Sequence, residues 1–150
     1  MNFDIDALLD LWTEPHTPGP QAEAAFGRFY TDPVVVNGAS LRISDLVDRA
    51  IALQHTFDDI DREVLELAQS DETVTVVFRL SGRHVGSLNS SAGIVPPTGR
   101  IISLRIMDLL RLTKGKVSTV WMSADELGSL AAVGAVSVSA AAGDLASRTA

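Results

Sequence analysis

Asp108 stands in the middle of the stretch IISLRIMDLLRL, residues 101–112, and its neighbours make it a candidate for proton chemistry. Strand alternation places Ile102, Leu104, Ile106, Asp108, Leu110 and Leu112 on one face. All but Asp108 are apolar, so the inward face carries a lone carboxylate. Such a group is costly unless it is hydrogen-bonded, paired or protonated. Two uses cover that cost: a structural bond to a backbone amide, or acid–base chemistry. Burial favours the second, because desolvation raises a carboxyl pKa towards the range where it works as a base near neutral pH. His84 is the other candidate. It alternates with Val74, Val76, Phe78, Leu80 and Gly82 and is expected on the same inward face. There it either supplies a donor or base beside Asp108 or stabilises the strand end.

Other chemistries find little support. The three histidines, His16, His55 and His84, are far apart and lack a metal-ligand spacing, so no metal is expected. The chain has no cysteine, which removes thiolate ligands, thiol nucleophiles and disulfides and suits a cytoplasmic setting. No P-loop, dinucleotide fingerprint or nucleophile elbow is present, and no cofactor is expected. A net charge of −7 argues against nucleic acid and anionic membrane surfaces. No stretch reaches the roughly 18 apolar residues of a membrane span, and the acidic MNFDIDALLD start is unlike a signal peptide.

These groups need a scaffold. The 150 residues, 46% hydrophobic and 21% charged, suit one soluble domain. Helical spacing predicts helices over 3–12, capped by Asn2, over 21–30, and over 44–57, capped by Ser44. A short strand, 34–36, ends at Asn37-Gly38. The period then changes to two. Residues 62–69 and 73–83 read as a hairpin, and 100–113 and 116–122 as two long strands joined at Lys114-Gly115. The acidic run Asp58, Asp59, Asp61 and Glu63 reads as a solvated edge. Residues 85–98 form a polar loop long enough to act as a lid. SADE, residues 123–126, opens a last helix to about Val133. The expected organisation is one α+β domain over 1–135 and a mobile Ala/Ser-rich tail over 136–150.

FYTDPVVVNG, then Gly82, His84 and Gly86 in VTVVFRLSGRHVG, then PPTG at 96–99, SLRIMDLLRLTKGKVSTVW and a closing short helix resemble the SnoaL-like polyketide cyclase family of the nuclear transport factor two-like superfamily. The resemblance implies a cone-shaped α+β barrel in which a strongly bent antiparallel sheet wraps a pocket closed by helices. It implies cofactor-independent acid–base chemistry on a small apolar oxygenated, polyketide-like molecule. Intramolecular aldol cyclisation, a lyase or isomerase chemistry, is the first expectation. An epoxide hydrolase or isomerase of the same fold and a non-catalytic ligand binder are the alternatives. In the cyclases an aspartate commonly follows the Trp of the penultimate motif, and here that place holds Met122, after Trp121. Asp108 would then be the acid–base group and His84 its partner. Trp12, Tyr30, Phe78, Ile106, Trp121 and Met122 would wall the substrate, although Trp12, Tyr30 and Trp121 also read as core aromatics. Val76, Phe78, Leu80, Ile102, Leu104 and Ile106 should line or underlie one cavity. The outer face, with Thr75, Val77, Arg79, Ile101, Ser103, Arg105 and Met107, is too apolar for full solvation, and a homodimer is expected to cover part of it.

Overall fold

Ile5, Leu8, Leu9 and Leu11 recur at helical spacing, and all four are buried on α1, Ile5–Thr13. Asp4 caps this helix, its carboxylate accepting the Ala7 amide at 3.0 Å, so Asn2 is not the cap. The structure is a computed structural model describing residues 2–139; most of the expected tail, 140–150, lies outside the described residues. α2, Pro20–Gly27, begins with proline in its first turn. It is shorter than expected, and Tyr30 opens β1, Tyr30–Val36. Asn37 and Gly38 both take positive φ and turn the chain into β2, Ala39–Leu41.

α3, Ile43–Thr56, buries Leu46, Val47 and Ala50. The Asp45 carboxylate accepts the Arg42 amide at 2.8 Å at its start, and Ser44 lies inside the helix. β3, Phe57–Gln69, follows at once, five residues earlier than the alternation suggested. The acidic run lies on this edge strand, with Asp58, Asp59, Asp61 and Glu63 all exposed. β4, Thr73–His84, leads to a small hairpin, β5, Leu88–Ser90, and β6, Gly93–Val95, within the expected loop. β7, Ile101–Thr113, and β8, Lys116–Ala124, complete the sheet. α4, Glu126–Ala132, is capped by Asp125, which accepts the Gly128 amide at 3.1 Å, while Ser123 remains in β8.

The main sheet runs β2-β1-β8-β7-β4-β3. Its pairs are antiparallel except β1 with β8, which are parallel. These two strands lie near opposite ends of the chain, so no tight turn imposes an antiparallel pairing on them. Register shifts occur between Asp58 and Asp61, between Val64 and Glu66, and between Arg111 and Leu112. Such irregularities add twist and bend, which curves the sheet strongly. Val74, Val76, Phe78 and Leu80 of β4 and Ile106 and Leu110 of β7 face inward and pack with residues of α1, α2 and α3 in the main core. A smaller cluster forms at the other end of the sheet from Phe57, Val95, Ile102 and Leu130. Among the described residues no helix is long and apolar enough to cross a membrane.

Candidate functional site

Antiparallel pairing sets what surrounds Asp108. It lies opposite Val76 on β4 and opposite Met122 on β8. Directly opposed residues share a face, so Met122 stands beside Asp108 on the concave side. Asp108 Oδ1 is buried and has no hydrogen-bond partner. Burial pushes this carboxyl from 3.8 up to about 7. No other acid contributes to that rise, so Asp108 titrates alone. Near neutral pH it populates both protonation states, as a proton carrier must.

Tyr30 lies within electrostatic range of Asp108 and is bonded to Trp12. The Trp12 indole Nε1–H donates to the Tyr30 hydroxyl oxygen at 2.9 Å. Tyr30 is buried, and burial raises its pKa strongly; the Trp12 bond acts against this and the charge of Asp108 adds to it. Tyr30 therefore keeps its proton. With one lone pair taken by the indole, that proton remains free to be donated. Phe26 holds both rings, edge-on to Trp12 at 5.4 Å and stacked on Tyr30 at 6.2 Å. Phe78 and Ile106, opposed across β4 and β7, form the apolar floor next to Asp108.

His84 does not join this group. It is eight residues along β4 from Val76, roughly 26 Å in an extended strand. It is fully buried beside Phe57, with ring centroids 5.9 Å apart. Nδ1 accepts the Thr98 amide at 3.2 Å and lies 3.1 Å from the Thr98 hydroxyl, which pins the 96–99 turn to the end of β4. A neutral ring with an accepting Nδ1 carries its proton on Nε2, and that atom has no partner. The glycines around it serve packing. A Cβ at Gly82 would lie 2.9 Å from Phe57 Cβ, and one at Gly86 would lie 2.2 Å from the His55 carbonyl oxygen. The pairing of His84 with Asp108 is thus corrected: alternation placed both on one face but at opposite ends of it.

Trp121 is corrected as well. It opposes Leu109 on the convex face and is 53% exposed, so it is neither a core aromatic nor a neighbour of Asp108. Met122 is 45% exposed despite its concave position, which marks the open side of the Asp108 corner. Its amide donates to Asn37 Oδ1 at 2.8 Å, locking β8 to the end of β1.

An apolar cavity of about 80 Å³ lies farther along the concave face, where the two core clusters fail to merge. Leu53, Phe57, Leu80, Ile102, Leu104 and Leu130 line it. Of the six residues expected to line or underlie one cavity, Leu80, Ile102 and Leu104 line this one, and Val76, Phe78 and Ile106 are buried in the main core. Leu104 is four residues from Asp108, roughly 13 Å along the strand. The β5–β6 hairpin covers this end rather than the Asp108 corner. Its Ser91 hydroxyl donates to Glu126 at 2.5 Å, tying it to α4. Nothing in the sequence spacing announces the contacts of Glu126 and Thr98, which are made with distant segments. Among the described residues no three His, Asp or Glu side chains group closely enough to hold a metal ion.

No curated protein matches the sequence. Among solved structures, TsrD from Streptomyces laurentii superposes with a TM-score of 0.73 at 19% identity, covering 88% of this chain and 92% of that one. A SnoaL-like polyketide cyclase from Agrobacterium tumefaciens gives a TM-score of 0.65 at 18% identity, covering 85% and 94%. IdmH from Streptomyces antibioticus gives 0.62 at 18%, covering 87% and 97%. At these identities the likeness establishes the nuclear transport factor two-like fold. The family profile described as SnoaL-like polyketide cyclase matches residues 7–133, from the middle of α1 to just beyond α4, and the chain belongs to that family.

Proposed function

We propose that this protein is a cofactor-independent enzyme that moves a proton beside a carbonyl of an apolar, polyketide-like molecule. The observation that carries the proposal is the Asp108 carboxyl, half-buried among apolar side chains, with Oδ1 buried and unpartnered and its pKa raised to about 7. Ionised Asp108 takes a proton from the carbon next to a carbonyl. The Tyr30 hydroxyl donates a hydrogen bond to the enolate oxygen as charge develops there, its oxygen held by Trp12. The enolate carbon attacks a second carbonyl of the same molecule, forming a carbon–carbon bond. The alkoxide so formed recovers the proton from Asp108, which completes an aldol cyclisation with no atom gained or lost. The donor role expected of His84 passes to Tyr30.

A single titrating carboxylate supports this reading over epoxide opening, for which two or more pocket carboxylates are expected, one to activate water and another to protonate the epoxide oxygen. A binding protein is the second reading, and Met122 favours it. That residue stands beside Asp108, and the resemblance puts it where the cyclases commonly carry an aspartate, as a history of lost chemistry would leave it.

Exchange of α-hydrogens in a small 1,3-diketone or β-keto ester, followed in D2O by NMR, separates the two. The protein should accelerate exchange. Asp108→Asn should reduce that acceleration by about two to four orders of magnitude, the span for losing general acid–base help, while ligand-induced shifts persist. Binding without acceleration by the unaltered protein would leave the binder as the answer.

A further inference from the structure

Trp12 lies in the last turn of α1, one residue before Thr13, and helix ends leave carbonyl groups without intrahelical donors. The Gln54 side chain, from the last turn of α3, supplies them. Its Nε2 donates to the Trp12 carbonyl at 3.5 Å and also to the Glu14 carbonyl. Its Oε1 accepts the His16 amide at 3.2 Å. One amide group thus satisfies three backbone positions in the segment 12–16, which has to turn away from α1 before Pro18 and Pro20. The same segment presents two rings to Phe26: Trp12 at 5.4 Å and His16 at 5.4 Å. His16 in turn bonds the Leu11 carbonyl with its Nε2 at 2.5 Å. Only an uncharged amide of this length both donates twice and accepts once here. Glu lacks the donors and Asn the reach.

We propose that Gln54 is a positioning residue: by clamping segment 12–16 to α3 it holds the Trp12 indole on the Tyr30 hydroxyl and thereby fixes where Tyr30 presents its proton. Gln54 touches neither Tyr30 nor Asp108 by hydrogen bond and acts through Trp12. The inference rests on Asp108 and Tyr30 forming the proton-handling corner. Asp108 is faced by Val76 from β4, by Met122 from β8 and, at electrostatic range, by Tyr30 from β1; of these only Tyr30 titrates. A loosened α1 end admits water to that corner, so the desolvation that raises the Asp108 pKa is relieved.

The test uses the indole N–H signals of the full chain labelled with 15N, assigned with Trp12→Phe and Trp121→Phe. Gln54→Met keeps length and packing but loses every hydrogen bond of the amide, and Gln54→Ala loses both. In both variants the Trp12 signal should shift and its exchange with solvent should quicken by about tenfold or more, as local opening becomes easier. The Trp121 signal, on the far face, should stay in place. The Asp108 carboxyl, followed by 13C, should titrate roughly one unit lower in Gln54→Met. An unmoved Trp12 signal in Gln54→Met overturns the proposal. So does a moved Trp12 signal with an unchanged Asp108 titration. If both respond while Asp108→Asn keeps full α-exchange activity, the positioning role stands and the catalytic reading of the corner falls.

Discussion

At the scale of single residues, Asp108 ties chemistry to stability. Its folded pKa of about 7 lies above the ordinary carboxyl value of 3.8. The folded state therefore binds this proton more tightly than the unfolded chain. The stability this contributes is fully present below about pH 4 and is lost as pH rises through about 7. At roughly 1.4 kcal/mol per unit, the loss is at most about 4 kcal/mol. Asp108→Asn removes it, since the amide stays neutral. Urea unfolding at several pH values should show the parent losing stability over that window relative to the variant. At pH 7 the variant should be equally stable or more stable. A loss of several kcal/mol in the variant at pH 7 would instead make Asp108 a structural anchor. The residue stood out in the sequence because one carboxylate broke an otherwise apolar alternation. Its working neighbours did not. Helical spacing runs on to Tyr30, which opens β1 instead, and nothing in the spacing of Trp12 and Tyr30 announces a hydrogen bond across 18 positions.

Alternation named the inward faces of β4 and β7, and their buried residues agree with it. What alternation lacks is distance along the face. Two residues can share a side of a sheet and stand at its opposite ends, as His84 and Asp108 do. Only the register, Val76 against Asp108, places them. The start of β3 was lost for a different reason: Asp58, Asp59 and Asp61 lie on an exposed edge with a register shift, and Asp59 has positive φ, so no two-residue period survives. Gly82, His84 and Gly86 carried part of the family resemblance, yet their contacts explain them as packing. At Gly86 the end of β4 passes against the α3 backbone, where a methyl group would meet the His55 carbonyl. Gly86→Ala should therefore cost about 1 to 3 kcal/mol, as overpacking does, visible as a lower urea midpoint with an unchanged slope. It should also release the turn that Thr98 makes on His84, giving faster amide exchange at Thr98. An unaltered midpoint would show that the strand end yields without strain.

For the whole molecule, the convex side of the sheet asks for a covering. Ile101 is 65% exposed and Met107 52%, and Trp121 stands near Met107 across the β7–β8 pair. Val77, opposite Met107 on β4, extends the patch. Arg79 and Arg105 oppose each other between Met107 and Ile101, and Arg79 is held by Glu63 at 2.8 Å. Large exposed apolar side chains so grouped are uncommon on a solitary protein. We propose that two copies meet through this face, leaving both concave sides and their Asp108 corners free. A two-fold arrangement suits such a patch, because one surface then serves both partners. It would need to bury about 800 Å² on each copy to persist. Sedimentation at micromolar concentration should report twice the 15.9 kDa chain mass. Trp121→Glu places a charge at the centre of the contact and should shift the protein to the single-chain mass without changing its far-UV spectrum. It should also leave the Asp108 titration in place, because Trp121 points away from that corner. A parent protein that sediments only as a single chain, or a Trp121→Glu variant that still pairs, would rule out this face as the contact.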